Sequence, residues 1–569
     1  MSALVPSLRP VFVFIVGLLL HAGAALAQHA APDGAPGHAA STGPVSAEEA
    51  ARWRTDLAFL AEQLATRHRD AFYRTPRETF EAEVRRLDAR IPGLARHEII
   101  AGLQRLTASL LDGHTTLLLG GPQTGFHYLP VDLYLFGDGL FVRAATPEHA
   151  DLVGARIVRI GRATAEAAVD SAARYVSHEN TFWVQQNAPV LLRMPEVLHA
   201  MGLTEHPDRV SYVVEQDGRT RTVELRPVGV YQPPPHGRPI VDMTGWTDLA
   251  GPATAEPPLR SRRPADLFWA EYVAADRMLY VAYRAVADRN GDEPNGAFFR
   301  RAFALADSLQ PERFVLDLRD NHGGNSFFNR EVLRQVIQRP WLDRPDRFFV
   351  LIGRGTFSAA QNLVNDLEYF TNATLVGEPT GNSPNLFGDH VMVQLPNSGL
   401  LAAISTRWHQ GPRGDTDRRL FTPPRLFAVP TAADYAAHRD PALQAVLDFG
   451  TAPPLRDQLV HVLASGDTAL AARRFEAYRT DPLNTYTSAE VEANAAGYAL
   501  LGAGRMDEAL FLFRLNTAAY PGSANAFDSL GEGYERAGRR AEAAASYRRA
   551  LALDPTFGSS RAGLERVGG

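Results

Sequence analysis

Ser358 stands where a chain could present a nucleophilic hydroxyl. The apolar run at 348–352 predicts a buried strand, 353–357 predicts a turn, and later apolar residues recur at helical spacing. A serine between a buried strand and a helix N-terminus is how an α/β enzyme displays a nucleophile. The helix end also offers free backbone N–H groups, among them that of Ala359, that can stabilise an oxyanion. The alternative is that Ser358 only caps the helix, because serine is a preferred N-cap residue.

A pair of glycines provides a second signal upstream of this serine. Gly323 and Gly324 follow the apolar run 314–316, where a parallel sheet presents its ligand-binding edge. Glycines at such an edge let backbone amides approach a substrate closely. The pattern therefore indicates catalysis more strongly than Ser358 does alone.

Four segments of this sequence carry a family resemblance. DLRDNHGG, GRGTFSAAQN and VGEPTGNSPN resemble the catalytic core of the tail-specific (C-terminal processing) and tricorn-core serine peptidases, and LLDGHT at 110–115 resembles the histidine motif of the tricorn-like branch. The resemblance covers about residues 46–445. It implies an α/β (crotonase-like) core without a cofactor, Ser358 as nucleophile, and an oxyanion hole from Ala359 with Gly323 or Gly324.

The resemblance leaves the general base to be chosen. Tail-specific peptidases typically pair their serine with lysine, but all 58 basic residues of this chain are arginine, which does not give up its proton. The histidine motif implies that His114 takes the serine's proton. Gly113 stands where relatives carry a supporting serine. The alternatives are that His114 only complements a helix C-terminus, or that His322 is the base.

An acidic residue is expected to orient the histidine. Tricorn-like enzymes carry one a few positions before a proline, which implies Asp417, six residues before Pro423. Asp389 is the second candidate. The alternative for Asp417 is a surface carboxylate paired with a neighbouring arginine, since exposed pairs of this kind are common and weak.

Composition excludes several other classes of protein. The 569 residues include no cysteine, so thiol nucleophiles, thiolate metal sites and disulfides are excluded. A formal net charge of −6 without a basic stripe argues against nucleic-acid binding. Residues 1–27 combine Arg9, a short apolar run and Ala-Leu-Ala, which predicts a cleaved signal peptide rather than a stable membrane anchor. We therefore expect an exported protein, periplasmic or extracellular.

Ser46, with Glu49 three residues later, predicts a capping box at the first helix, whose apolar stripe begins at Trp53. Asp217-Gly218 predicts a hairpin turn.

The sequence predicts a multidomain α/β protein. Residues 126–226 carry short strand signals, and LVGARIVRIGRATAEAA resembles part of a PDZ-type domain; the alternative is a purely structural β-domain. Glycine, alanine and proline positions recur 34 residues apart between 497 and 555, which is the tetratricopeptide (TPR) period. The predicted segments are the signal peptide 1–27, a flexible linker 28–45, an N-terminal three-helix domain 46–119, a PDZ-like β-domain 120–226, a Pro-rich linker 227–265, a serine peptidase core 266–449 and TPR-like helical repeats 450–569.

These observations favour an exported serine endopeptidase that uses a Ser-His arrangement on a peptide or protein substrate. Two alternatives remain open. One is a catalytically inactive protein of the same fold that binds a peptide or an apolar ligand. The other is an interaction scaffold that holds a protein partner through the TPR-like repeats.

Overall fold

The computed structural model describes residues 43–231, 244–251, 257–450 and 453–568. The predicted signal peptide and most of the predicted linker 28–45 lie outside the described residues, as do two stretches of the Pro-rich linker 227–265. Within the described ranges, no helix is long and apolar enough to cross a membrane.

The described chain begins with three helices. The predicted capping box at the first is present, with Ser46 Oγ accepting from Glu49 N–H at 3.2 Å and Glu49 Oε2 accepting from Ser46 N–H at 2.9 Å. Trp53 and the leucines that follow it at helical spacing are buried, as the apolar stripe predicts. The bounds are α1 Ala47–Arg67, α2 Arg77–Arg90 and α3 Arg96–Ala108.

A mixed segment with a seven-stranded antiparallel sheet follows. The elements are β1 Thr116–Leu117, β2 His127–Tyr128, β3 Val131–Phe136, β4 Gly139–Ala145, β5 Arg156–Ile160, β6 Ala163–Thr164, α4 Ala165–Ala173, α5 Thr181–Leu191, α6 Pro195–Ala200, β7 Val210–Gln216, β8 Arg219–Leu225, β9 Gly229–Val230 and β10 Thr247–Asp248. The sheet order is β10-β4-β5-β7-β8, with β3 on β4 and β6 on β5. The predicted hairpin turn at Asp217-Gly218 is present, with positive φ at both residues.

The three helices α4 to α6 were not expected from the strand-like pattern of this segment. Asn180 explains where α5 begins, because its Oδ1 accepts from the N–H groups of Phe182 and Trp183 at 2.9 and 3.0 Å. This helix carries Trp183 toward the predicted nucleophile turn, as described below.

A six-stranded, mostly parallel sheet forms the α/β core. Its elements are β11 Phe268–Val273, β12 Met278–Tyr283, β13 Arg289–Asn290, β14 Glu293–Pro294, α7 Asn295–Leu309, β15 Arg313–Asp317, α8 Asn329–Ile337, β16 Phe348–Ile352, α9 Ala359–Phe370 and β17 Thr374–Gly377. The strand order is β11-β12-β15-β16-β17-β20, where β20 is the short strand Leu426–Phe427. All neighbours from β12 to β20 are parallel, so their carboxyl ends meet at one edge.

A long hairpin joins this core to the N-terminal segment. Its strands are β18 Leu386–Gln394 and β19 Leu401–His409. Thr116 of β1 pairs with Ala403 of β19, and Leu117 pairs with Ala402. Val393 and Ile404 belong to the same buried cluster as the N-terminal helices and the seven-stranded sheet. One hydrophobic core therefore runs across the predicted boundary at residue 120, and the hairpin carries the loop before β1 toward the α/β core.

Helices complete the chain after the hairpin. Their bounds, with the last strand, are β20 Leu426–Phe427, α10 Ala432–Ala436, α11 Pro441–Asp448, α12 Leu455–Ala464, α13 Thr468–Thr480, α14 Ala489–Gly502, α15 Met506–Ala519, α16 Ala524–Arg536, α17 Arg540–Leu553 and α18 Gly558–Arg566. The 34-residue period has a packing cause. A Cβ on Gly497 would lie 2.5 Å from the Phe513 ring, and one on Gly531 would lie 2.6 Å from the Tyr547 ring.

Candidate active site

Ser358 lies between β16 and α9 in a strained backbone conformation, with φ 56° and ψ −124°. Its side chain makes no capping hydrogen bond, so the capping alternative does not describe this serine. Its flanking residues Phe357 and Ala359 are buried while Ser358 is half-buried. A non-glycine residue in such a region costs about 1–3 kcal/mol, and strain of this kind clusters at functional sites. The conformation is that of a nucleophile elbow.

The turn is tied to the loop that follows β15. Thr356 Oγ1 donates to the Leu318 carbonyl at 2.9 Å and accepts from Gly353 N–H at 3.0 Å. Phe357 N–H donates to the Asn321 carbonyl at 3.1 Å. The two loops at the carboxyl edge of the sheet therefore hold each other in place.

Two of the three predicted oxyanion donors remain available. A Cβ on Gly323 would lie 2.5 Å from Ser358 Cβ and 2.8 Å from Ala359 N, so this glycine lies directly against the serine. Its own N–H donates to Asn321 Oδ1 at 2.9 Å. The N–H groups of Ala359 and Gly324 enter no hydrogen bond between described residues. They are the better candidates for an oxyanion hole.

The Ser358 N–H has an acceptor of its own. Asn382, in the loop after β17, accepts it on Oδ1 at 2.7 Å. Asn382 Nδ2 in turn donates to Glu179 Oε2 at 2.7 Å. The Ser358 N–H is therefore not available to an oxyanion. The hydrogen bond from Asn382 Nδ2 to Glu179 fixes which way the Asn382 amide is oriented.

His114 lies beside the nucleophile turn, residues 353–358, but makes no hydrogen bond to the Ser358 hydroxyl. Its ring stacks on Phe357 with centroids 4.5 Å apart, and Phe357 also stacks on Trp183 at 4.0 Å. Both imidazole nitrogens are buried and have no hydrogen-bond partner among the described residues. Burial lowers the pKa of His114 to about 4, against the opposing effect of Asp112. The ring is therefore neutral at neutral pH and able to accept a proton.

Asp112 anchors the loop that carries His114. Its Oδ1 accepts from His114 N–H at 3.0 Å, and its Oδ2 accepts from Thr115 Oγ1 at 2.6 Å and lies 3.0 Å from His68 Nε2. His68 Nδ1 accepts from Asp70 N–H, which assigns the ring proton to Nε2 and makes His68 the donor to Asp112. Burial raises the pKa of Asp112, but the His68 hydrogen bond and the nearby histidines outweigh it and lower the pKa to about 2.

Glu179, just before α5, joins the histidine loop to the nucleophile turn. Its Oε1 accepts from Gly113 N–H at 3.2 Å, and its Oε2 accepts from Asn382 as described. Burial, followed by the Asp112 carboxylate, raises the pKa of Glu179 to about 8. A Cβ on Gly113 would lie 3.0 Å from Glu179 Oε2 and 2.9 Å from Phe357 Cζ. The space that a side chain at position 113 would need is therefore already occupied.

One group of described residues brings possible metal ligands together. Atoms of Asp112, His114 and Glu179 lie within 4.8 Å of one another. All four carboxylate oxygens already accept hydrogen bonds from the donors named above. These bonds account for the geometry of the group without an ion.

The structure does not bring Asp417 to the histidine. Its carboxylate accepts from Arg419 Nε at 3.0 Å and Nη2 at 2.7 Å, while Arg419 also binds Glu368. The alternative of a carboxylate paired with a neighbouring arginine is the arrangement found, because the two side chains lie on the same side of one extended segment. Asp389 pairs with Arg407 at 3.4 Å.

His322, the rival base, is exposed in the loop before Gly323. Its ring meets Trp183 edge-on, with centroids 5.7 Å apart. A Cβ on Gly355 would lie 3.3 Å from its Nε2, which places His322 next to the nucleophile turn. His322 is exposed, whereas the ring nitrogens of His114 are buried.

Sequence reasoning missed Glu179, Asn382 and Asp112. Asn382 carries a usable signal, because it follows a core strand at the edge where parallel sheets bind ligands. Asp112 adjoins His114 and could have been suspected from that position. Glu179 gives no local signal, because both of its partners are distant in sequence and only the packed fold brings them together.

Comparison with solved structures finds proteins that align with much of this chain at low sequence identity. Mature CPAF complexed with lactacystin is 15% identical, with 74% of this chain and 99% of that chain covered and a TM-score of 0.48. The photosystem II D1 C-terminal processing protease is 16% identical, with coverage of 67% and 93% and a TM-score of 0.32. The tricorn protease is 12% identical, with coverage of 70% and 36% and a TM-score of 0.27. No protein-family model and no curated protein sequence matches the chain.

The chain is a multidomain α/β protein with many helices and several sheets, as the sequence predicts.

Proposed function

We propose that the protein is an exported serine endopeptidase of the tail-specific or tricorn-like type. The observation that carries this proposal is the strained backbone of Ser358, whose hydroxyl does not cap its helix. A chain that needed only a helix cap would have no reason to hold a serine at positive φ. Gly323 packed against the serine, with free N–H groups at Ala359 and Gly324, supplies the setting for an acyl-transfer site.

The proposed reaction proceeds through an acyl-enzyme. Ser358 Oγ attacks the peptide carbonyl carbon while His114 accepts the hydroxyl proton, and the carbonyl oxygen becomes an oxyanion that faces the free N–H groups. His114 then gives the proton to the leaving amine, and water hydrolyses the ester by the same route in reverse. His114 must turn or shift toward Oγ for the first step, because the two groups make no hydrogen bond in the structure. No cofactor takes part.

Covalent labelling tests this function directly. A fluorophosphonate probe reacts with an activated serine, and the mass of the intact protein reports stoichiometry. We expect one label per wild-type chain, none on Ser358→Ala, and a labelling rate on His114→Ala lower by about 10²–10⁴-fold, the usual contribution of a general base. Loss of activity in His322→Ala with full labelling of His114→Ala would transfer the base role to His322.

A catalytically inactive binding protein is the second candidate. The observation that favours it is the absence of any hydrogen bond at either His114 nitrogen among the described residues. In that case the folded wild type would resist the probe, and the half-buried Trp183, which stacks on Phe357, would contact an apolar ligand or a peptide.

The remaining parts of the chain have proposed roles that depend on this function. We propose a PDZ-like role for the seven-stranded sheet, in which a peptide substrate adds a strand, and a TPR-like role for helices α12 to α18 in holding a protein partner. Nucleic acid is not an expected partner. Export would be tested by sequencing the mature N-terminus, which the signal pattern predicts at Gln28.

A further inference from the structure

We propose that Glu179 is a positioning residue of this site, because its carboxylate couples the histidine loop to the nucleophile turn. The inference rests on the proposed peptidase function and adds a residue that neither the core motifs nor the histidine motif contains. It gives the site a buried carboxylate that holds the backbone beside His114 rather than the imidazole ring, the group that Asp417 was expected to orient.

The coupling is a continuous chain of hydrogen bonds. Gly113 N–H donates to Glu179 Oε1 at 3.2 Å, Asn382 Nδ2 donates to Glu179 Oε2 at 2.7 Å, and Ser358 N–H donates to Asn382 Oδ1 at 2.7 Å. Gly113, the first donor, immediately precedes His114 in the sequence, and Ser358, the last donor, is the proposed nucleophile. Glu179 is 7% exposed, so water does not compete for these bonds.

Both oxygens of Glu179 are needed as acceptors. A glutamine at this position would present an NH₂ group either to Gly113 N–H or to Asn382 Nδ2. If Asn382 flipped to accept from that NH₂, its own NH₂ would face Ser358 N–H. In every arrangement two N–H donors face each other. Glu179→Gln therefore breaks this series of hydrogen bonds, although it changes the side-chain volume very little.

Charge gives Glu179 a second way to act on His114. A Glu179 oxygen lies within 4.8 Å of a His114 nitrogen, so an ionised carboxylate favours the imidazolium that forms during the reaction. The other charged groups around Glu179 are Asp112, which opposes the ionisation of Glu179, and Arg74, which favours that ionisation. With the pKa of Glu179 at about 8, kcat is expected to rise with pH through about 8 in the wild type.

The experiment compares Glu179→Gln with Glu196→Gln in the full chain. Glu196 is a matched control, because it is 2% exposed and accepts from His127 N–H at 3.1 Å, while the His127 ring can adapt its tautomer to an amide. The measurements are fluorophosphonate labelling rates from pH 6 to 10, kcat and KM on a labelled substrate once one is found, and hydrogen exchange of peptides that contain Gly113 or Ser358. Asn382→Ala serves as the second variant if Glu179→Gln folds poorly.

We expect Glu179→Gln to lower kcat about 10–100-fold with KM nearly unchanged and to lose the rise near pH 8, whereas Glu196→Gln stays within about 2-fold of wild type. Amide exchange should increase at Gly113 and Ser358 together in Glu179→Gln only. A labelled wild type with an unchanged Glu179→Gln variant would overturn this inference alone. A wild type that is folded but not labelled would overturn the peptidase proposal. Amide hydrogen exchange that increases at only one of the two residues, Gly113 or Ser358, would overturn the coupling independently of activity.

Discussion

Replacing Gly323 by alanine should disable the site through direct contact with the nucleophile. The added Cβ would lie 2.5 Å from Ser358 Cβ, 2.8 Å from Ala359 N and 3.0 Å from the Phe357 carbonyl oxygen. Real Cβ atoms are essentially never found within 3.0 Å of such neighbours. Since backbone atoms flank the serine on both sides, no flexible side chain can move away, and Ser358 itself must shift.

The magnitude follows from two costs. Alanine at φ +103° carries a conformational penalty of about 1–2 kcal/mol, and overpacking adds about 1–3 kcal/mol. The free energy of unfolding of the α/β core should therefore fall by about 2–5 kcal/mol. A displacement of the nucleophile by about 1 Å can cost about 10²-fold in rate, so labelling by the probe should slow by at least that factor.

Intact-mass labelling and thermal denaturation measure the two effects on the same samples. Gly504→Ala is the control, because Gly504 also has positive φ (+76°) but nothing lies within 4 Å of its Cβ position. The control should lose some stability from backbone strain and keep its labelling rate. If Gly323→Ala were labelled as fast as the wild type, Gly323 would not lie against an active nucleophile, and the description of the site would be wrong.

Three further predictions concern stability. Gly113→Ala should lower the melting temperature and the labelling rate together by crowding the ring beside the nucleophile, while Gly93→Ala, with nothing within 4 Å, should do neither. The pKa of Glu179 is higher in the folded protein, about 8, than the ordinary value of 4.5 that applies to the unfolded chain. The contribution of protonated Glu179 to stability is therefore fully present below pH 4.5 and is lost as the pH rises toward 8. The wild type should therefore lose up to about 5 kcal/mol across that range, at about 1.4 kcal/mol per pKa unit, and Glu179→Gln should lack this component in denaturant titrations at each pH. Gly531→Ala should destabilise the C-terminal helices by about 1–3 kcal/mol, whereas Gly502→Ala, in open space, should stabilise them by about 0.5–1 kcal/mol; equal effects would contradict the close packing at Gly531.

Local patterns predicted the parts of the fold that local physics decides. The capping box at Ser46, the hairpin turn at Asp217 and the strand–turn–helix around Ser358 are each specified by a few neighbouring residues, and each is present. The 34-residue period likewise follows from glycines such as Gly531 that must lie close to an aromatic ring. Helix α5 was not predicted because the strand-like pattern of residues 126–226 outweighed the N-cap signal at Asn180.

Partners brought together by tertiary packing could not be predicted in this way. The position of Asp417 resembles that of an acidic residue in tricorn-like enzymes, but Arg419, two residues away, donates to its carboxylate instead. Glu179 was invisible because its bonds to Gly113 and Asn382 span distant parts of the chain. The turn at Ser358 could be predicted from the sequence because its strand, turn and helix are local in the chain, whereas the carboxylate near His114 belongs to the packed interior.

The pairing of β1 with β19 also sets when the site can exist during synthesis. The chain leaves the ribosome N-terminus first, so the loop with His114 has no neighbouring strand until Ala403 has been made. The core that includes the N-terminal helices is likewise incomplete until Ile404 is in place. Ser358 is therefore synthesised before the strand that holds the His114 loop in place. A chain truncated before Ile404 therefore contains both residues without an assembled site, so the proposed peptidase activity requires a chain that extends at least through β19.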